Sequence, residues 1–166
     1  LKLIMLKNSI RILHVTESLG GGITSAINSY IKCTNKYKHF LCATIRKFDL
    51  TGEEKFKKNI YILPRSLKSV YNFYQFYKKI NPSIIHIHST FAGVIIRLLP
   101  FIPKDKIVYT PHGFSFLRND SWLLLKLYRL VEHILSYRTN KLAACSKEEY
   151  FEASKFYKKT KILELY

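Results

Sequence analysis

The sequence predicts an α/β fold: a doubly wound parallel sheet with helices packed on both faces. Three observations carry this expectation. Short apolar runs alternate with segments of helical spacing from Ile10 to the end of the chain. The apolar runs are continuous rather than alternating, as strands covered on both faces should be. Breakers such as Asn81-Pro82 and Pro100 stop the helical segments where the next connection must begin. At 166 residues and 48% hydrophobic content, the chain suits one domain with a real core.

Each element follows from its own pattern. Ile10 to Val15 (IRILHV) is a buried strand that runs into a glycine cluster. Ile23 to Cys33 places Ile23, Ile27, Tyr30 and Ile31 on one helical face. Phe40 to Ile45 is a second strand, Lys47 to Asn59 a charged loop, and Ile60 to Leu63 a short third strand stopped by Pro64. Leu67 to Ile80 is a helix with Val70, Phe73, Tyr74 and Tyr77 on one stripe. Ser83 to His88 is a strand, Phe91 to Leu99 a helix, and Lys106 to Thr110 a strand that turns at Pro111-His112-Gly113. Ser121 to Tyr137 is a long helix, Lys141 to Cys145 a strand, Ser146 to Phe156 a helix, and Lys161 to Leu165 a last strand. Residues 1–9 read as an N-terminal extension and 10–166 as the domain.

Composition narrows the function. Twenty-eight Lys and Arg against 11 Asp and Glu give a net charge of +17. Such a surface faces an anionic partner: nucleic acid, an anionic membrane or phosphorylated substrates. No helix-turn-helix, RNA-recognition or zinc signature accompanies the charge, so nucleic acid is not expected as a partner. Cys33, Cys42 and Cys145 form no C-x-x-C pair, and an odd count suits a reducing cytoplasm. The apolar start from Leu1 to Leu6 is too short for a signal peptide, and no run reaches the roughly 20 residues of a membrane span.

In doubly wound sheets, ligands sit at the carboxyl ends of the strands. After the first strand comes Glu17-Ser18-Leu19-Gly20-Gly21-Gly22 and then a helix. Glycines allow close backbone approach, and a helix N-terminus offers free N–H groups, so this segment reads as a diphosphate cradle. A plain flexible turn is the alternative. The segment is neither G-x-G-x-x-G nor a P-loop. After the fourth strand, His86 and His88 share a face, followed by Ser89 and Thr90; after the fifth comes His112-Gly113. Convergence of His86, His88 and His112 would allow a metal. The absence of a nearby carboxylate in sequence argues against one, and no metal is expected. His112 reads either as a structural turn residue or as a functional imidazole donating to a sugar or phosphate. Ser146 and Glu149 fit a capping box at the start of the last helix. The helix Ser121 to Tyr137 is apolar nearly all round, with a narrow stripe of Trp122, Lys126, Arg129 and His133. It is expected in the core or at an interdomain face; the alternative is a membrane surface.

Four segments taken together resemble a known family: IRILHVTESLGGGITSAINSY, PSIIHIHSTFAGVI, KIVYTPHGFSF and NKLAACSKEEYFE. In this order and spacing they resemble the N-terminal, acceptor-side domain of family 4 glycosyltransferases. These are retaining enzymes of the GT-B fold, in which two Rossmann-like halves face each other. The likeness lies toward bacterial surface-polysaccharide enzymes. It implies transfer of a sugar from a nucleotide sugar to a glycan or lipid-linked acceptor, with no cofactor and no metal at the reacting centre. It implies that Gly20, Gly21 and Gly22 form the loop near the donor diphosphate and the acceptor. It further implies that His112, beside Gly113, lies near the transferred sugar as the catalytic position, that His88 and Ser89 form the matching strand end, and that Ser146 opens the last helix. Ser83 departs from the aspartate often found after the proline. The family's second domain, with its basic pair and its Glu-seven-residues-Glu motif, is not in this sequence. The isolated chain is therefore expected to be inactive, as a truncated product, a fragment, or one half of an enzyme completed by a separate chain. A cytoplasmic location is expected, peripheral on the inner face of the plasma membrane.

Overall fold

The computed structural model describes residues 10–17, 19–44, 60–63, 68–157 and 161–165. The expected extension over residues 1–9 and the loop Lys47 to Asn59 lie outside the described residues. The elements are β1 (Arg11–Thr16), α1 (Gly21–Cys33), β2 (Lys38–Ala43), β3 (Ile60–Ile62), α2 (Lys68–Ile80), β4 (Ile84–His88), α3 (Thr90–Leu98), β5 (Ile107–Thr110), α4 (Trp122–Ser136), β6 (Lys141–Ala144), α5 (Lys147–Ser154) and β7 (Lys161–Glu164). The seven strands form one parallel sheet in the order β3-β2-β1-β4-β5-β6-β7. The chain works outward from β1 to one edge, then returns to β1's other side at β4. That reversal opens a crevice at the carboxyl ends of β1 and β4, where open α/β sheets bind ligands.

The strands read as continuous apolar runs because both faces are covered. Leu13, Val15, Ile85 and Ile87 are buried in one layer with Phe73 and Tyr77 of α2 and with Ala92 and Ile96 of α3. A smaller layer joins Leu41 and Ala43 to Leu19 and to Ile27 of α1. The small layer holds few apolar residues because histidines occupy much of the same sheet face.

One expectation from the sequence is overturned. The core reading of α4 fails: Trp122, Leu123, Leu127, Leu130, Ile134 and Tyr137 are all more than half exposed. What α4 buries is Glu132, with Leu135 and Ser136. Arg97 of α3 is the reason. Its guanidinium is fully buried and forks onto Glu132, with Nη1 donating to Oε2 and Nη2 to Oε1, each at 3.0 Å. Tyr109 and Tyr157 donate their hydroxyls to the same carboxylate at 3.0 and 2.6 Å, and Arg97 Nε donates to the Gly93 carbonyl at 2.8 Å. A buried ion pair is tolerable when its remaining donors and acceptors are filled in this way.

Gly93 makes that network possible. The Arg97 guanidinium stacks over the Tyr109 ring at 4.0 Å, and a Cβ at position 93 would lie 2.7 Å from Tyr109 Cε2 and 3.1 Å from Arg97 Nη2. Gly93→Ala should therefore destabilise the chain by about 1–3 kcal/mol, the usual cost of overpacking. It should do so despite the roughly 1 kcal/mol of helix propensity that alanine brings. Urea unfolding measures the difference; a stability equal to or above the parent would show that Tyr109 and Arg97 are free to shift.

Candidate functional site

The residues that follow β1, β4 and β5 meet at one cleft of about 660 Å³. Glu17 and Ile23 line it from the β1–α1 connection, Ser89 and Thr90 from the end of β4, His112 and Gly113 from the end of β5, and Arg118 and Glu132 from beyond. Gly20 is the N-cap of α1 and makes no side-chain cap, so no side chain of the cap residue occupies the helix's first free N–H groups. Gly21 is the first residue of α1. Around Gly22, a Cβ would meet nothing within 4 Å among the described residues. The chain's own packing therefore does not require glycine there, and the bare backbone leaves room for something outside the chain.

The two strand ends opposite are strained. Ser89 has φ of 77° and His112 φ of 53°, both in the left-handed region, and Gly113 follows with φ of 98°. Non-glycine residues held there are uncommon and gather at functional sites. Ser89 is kept in place as the N-cap of α3, where Oγ accepts from Ala92 N at 3.4 Å, and by its own N–H, which donates to the Thr110 carbonyl. The turn at His112 is held by Glu149 of α5. One carboxylate oxygen accepts Gly113 N at 2.6 Å and the other accepts Cys145 N at 2.7 Å. Ser146 caps α5, its Oγ accepting from Glu149 N at 3.1 Å. Ser146 is exposed and serves the cleft through Glu149.

Behind His112 lies a row of imidazoles that the sequence only half revealed. His14 pairs with His86 across β1 and β4, Thr16 with His88, and Ile12 with His39 across β1 and β2. With period-two alternation, His39, His14, His86 and His88 all project from one sheet face. Ring nitrogens then link in series: His39 Nδ1 to His14 Nε2 at 3.0 Å, His14 Nδ1 to His88 Nε2 at 3.1 Å, and His88 Nδ1 to His112 Nε2 at 3.0 Å. His86 stands beside the row, 4.1 Å from His88 between ring centres, with Nε2 hydrogen-bonded to Thr110 Oγ1 at 2.9 Å. Tyr30 of α1 covers His86 and His88. His88 is fully buried, so it reaches the cleft only through His112. Of the expected site residues, Ser89, His112 and Gly113 line the cleft, Gly20, Gly21 and Gly22 fall in the chain between its lining residues Glu17 and Ile23 without lining it themselves, and His88 lies behind His112.

The convergence of His86, His88 and His112 that the sequence left open is found in altered form. His14, His86 and His88 each bring a ligand atom within 4.8 Å of the others, a spacing that could hold a metal ion. The donor set carries no anionic ligand, so a dication there would be buried without charge compensation. The facing nitrogens of His14 and His88 already satisfy one another. Burial holds His14 and His88 well below the ordinary imidazole pKa, with neighbouring histidines adding to the effect, and pushes His86 down to about 3. His86 keeps part of its surface, but the rings of Tyr30 and His14 lie 5.2 and 5.6 Å from it.

These shifts give stability a pH dependence. Below the unfolded value of 6.5, the unfolded chain takes up protons that the folded chain refuses. The stabilisation is complete above about pH 6.5 and is lost as pH falls toward the folded values. Each pH unit in that window costs about 1.4 kcal/mol for each histidine kept neutral. Urea unfolding at about pH 7.5 and about pH 5.5 should give a clearly lower stability at the acid value. Equal stabilities would mean that the folded row carries charge.

Comparison with known proteins bears on this geometry. The sequence pattern of Glycosyltransferase Family 4 matches residues 45–162. The chain is 30% identical over 158 residues to an uncharacterised 41.2 kDa protein in the cps region of Klebsiella pneumoniae, covering 85% of this chain and 41% of that protein. It is 34% identical over 95 residues to a protein named glycosyltransferase EpsD of Bacillus subtilis (strain 168), covering 54% and 23%. The chain thus spans less than half the length of these curated relatives. A solved dTDP-glucose 4,6-dehydratase from Bacillus anthracis, in complex with NAD, superposes with a TM-score of 0.49 at 12% identity, over 84% of this chain and 55% of that one. The family pattern extends over well more than half of the residues, including β4 with His88, the His112 turn and the α5 cap, and the chain belongs to glycosyltransferase family 4.

Proposed function

We propose that the chain forms the acceptor-side wall of an enzyme that transfers a sugar from a nucleotide sugar to a glycan or lipid-linked acceptor in surface-polysaccharide synthesis. One observation carries this reading: Glu17 and Ile23, on either side of the glycine run that opens α1, and the strained His112 line the same cleft, at the point where the strand order reverses. The free N–H groups of α1 suit a diphosphate. His112 suits the sugar beside it. In this reading the chain's contribution is placement and electrostatic stabilisation of the leaving diphosphate, and it requires no cofactor. Most of the nucleotide would be held by a second domain, in the same chain or a separate one. The curated relatives, more than twice as long as the aligned part, support that arrangement.

The test is sugar transfer by the chain with the second domain supplied, in cis or in trans. His112→Ala should lower turnover by roughly 100-fold, the scale of losing one positioned catalytic group. The melting temperature of the same preparation separates this from unfolding. Unchanged activity per folded molecule would reduce His112 to a turn residue.

The exposed face of α4 supports a peripheral membrane site. Leu123, Leu127, Leu130, Ile134 and Tyr137 recur at four and three residues, making one apolar stripe. Trp122, Lys126 and Arg129 flank it, with the Lys126 ammonium 4.5 Å from the centre of the Trp122 ring. An apolar stripe edged by Trp and basic residues suits the boundary of an anionic bilayer. Among the described residues no helix is long and apolar enough to cross a membrane. The chain should bind vesicles of anionic lipid and release them as salt rises, each basic residue at the surface contributing about 1 kcal/mol. Leu127→Ser with Leu130→Ser should weaken that binding. Equal binding to neutral vesicles would remove the preference for anionic lipid, binding to neither would remove the membrane reading, and tighter binding to duplex DNA would favour nucleic acid instead.

A further inference from the structure

The direction of every hydrogen bond in the imidazole row is set at its far end. His39 Nε2 lies 3.0 Å from the Thr34 carbonyl oxygen, which only accepts, and 3.2 Å from Thr34 Oγ1. The Thr34 hydroxyl proton is committed elsewhere, donated to the Tyr30 carbonyl. His39 Nε2 therefore carries a hydrogen. With His39 neutral, one ring nitrogen carries the hydrogen and the other a lone pair, so Nδ1 accepts. It accepts from His14 Nε2, which leaves His14 Nδ1 to accept from His88 Nε2, which leaves His88 Nδ1 to accept from His112 Nε2. The last ring is left with a lone pair on Nδ1. Among the described residues that atom meets only the Cys145 thiol, a weak donor, at 3.7 Å. Burial and the nearby Glu149 carboxylate push the Cys145 thiol upward, so it remains S–H.

We propose that His39, His14 and His88 are positioning residues that lock His112 in a single tautomer, with Nδ1 offered as a hydrogen-bond acceptor to a hydroxyl-bearing ligand. The lock reverses the role that the isolated sequence suggests for His112. A phosphate oxygen only accepts and finds no partner at Nδ1; a sugar hydroxyl donates and displaces the thiol. The assignment of that hydroxyl to the transferred sugar or its acceptor rests on the proposed glycosyl transfer. The lock itself does not.

Nitrogen-15 NMR of the histidine-labelled 166-residue chain near neutral pH, without substrate, reads the tautomers directly. All four rings should show a pyridine-type Nδ1 and a pyrrole-type Nε2. His14→Phe cuts the row, so His88 and His112 should become tautomeric mixtures while His39 is unchanged. His14→Gln should restore the single form, because its carbonyl accepts from His88 and its amide donates to His39. Thr34→Val should change nothing, since the backbone carbonyl remains. An Nδ1–H form at His112, or a charged ring at His39 or His112, in the parent chain overturns the proposal, and so does a His112 spectrum indifferent to His14→Phe. Should His14→Phe fail to fold, the parent spectrum and Thr34→Val still decide. In the transfer assay with the second domain supplied, His14→Phe should lower kcat by about 100-fold and His14→Gln should recover most of it. A locked row with no effect on kcat would leave the tautomer assignment standing and remove only its link to sugar transfer.

Discussion

The register between β1 and β4 is the constraint on which the site depends. These strands lie far apart in sequence and side by side at the centre of the sheet. Pairing His14 with His86 and Thr16 with His88 does two things at once. It aligns the carboxyl ends so that the β1–α1 connection and Ser89 face one crevice, and it stacks imidazoles on the face covered by α1. A slip of one residue would turn His14 to the opposite face, against Ile85 and Ile87, bring Leu13 and Val15 onto the histidine face, and break the row at its second member. The apolar face thus specifies the register, and the polar face inherits it.

A second constraint shapes the outer surface. The buried Arg97 requires a carboxylate, and Glu132 supplies it from the middle of α4. A helix has one inward face. Once Glu132 claims that face beside Leu135, Leu123, Leu127, Leu130 and Ile134 point outward. The polar residue goes in and the apolar stripe goes out, the inverse of the usual amphipathic arrangement. The protein accepts an exposed apolar surface in exchange for a fully satisfied ion pair that ties α3, α4, β5 and Tyr157 together.

Much of the fold was legible in the sequence because its signals are local. Strand runs, helical stripes and the breaks at Asn81-Pro82 and Pro100 each announce themselves within a few residues. The places to look, Gly20 to Gly22, Ser89 and His112, followed from the rule that ligands sit at strand ends. His14 and His39 escaped notice because a single histidine inside an apolar run carries no signal alone. Only the lateral pairing of β1 with β2 and β4 brings them to His88, and that pairing is not written in either strand. His14 does share its alternation with the His86 and His88 pair, which was the available hint. The inversion of α4 was hidden for a similar reason: Glu132 looks like one acid in an apolar helix until Arg97 is known to lie beneath it. Glu149 was legible as a capping residue, but not as the group that fixes the His112 turn.

That turn has a further implication. A single carboxylate from the first turn of α5 satisfies two backbone N–H groups on either side of the crevice wall, at Gly113 and Cys145. The left-handed backbone at His112 is thereby settled when the protein folds, together with the capping of α5. A ligand entering the crevice meets a wall already in its final shape on this side. The conformational entropy of ordering that wall is lost during folding and is not subtracted from the affinity of the encounter.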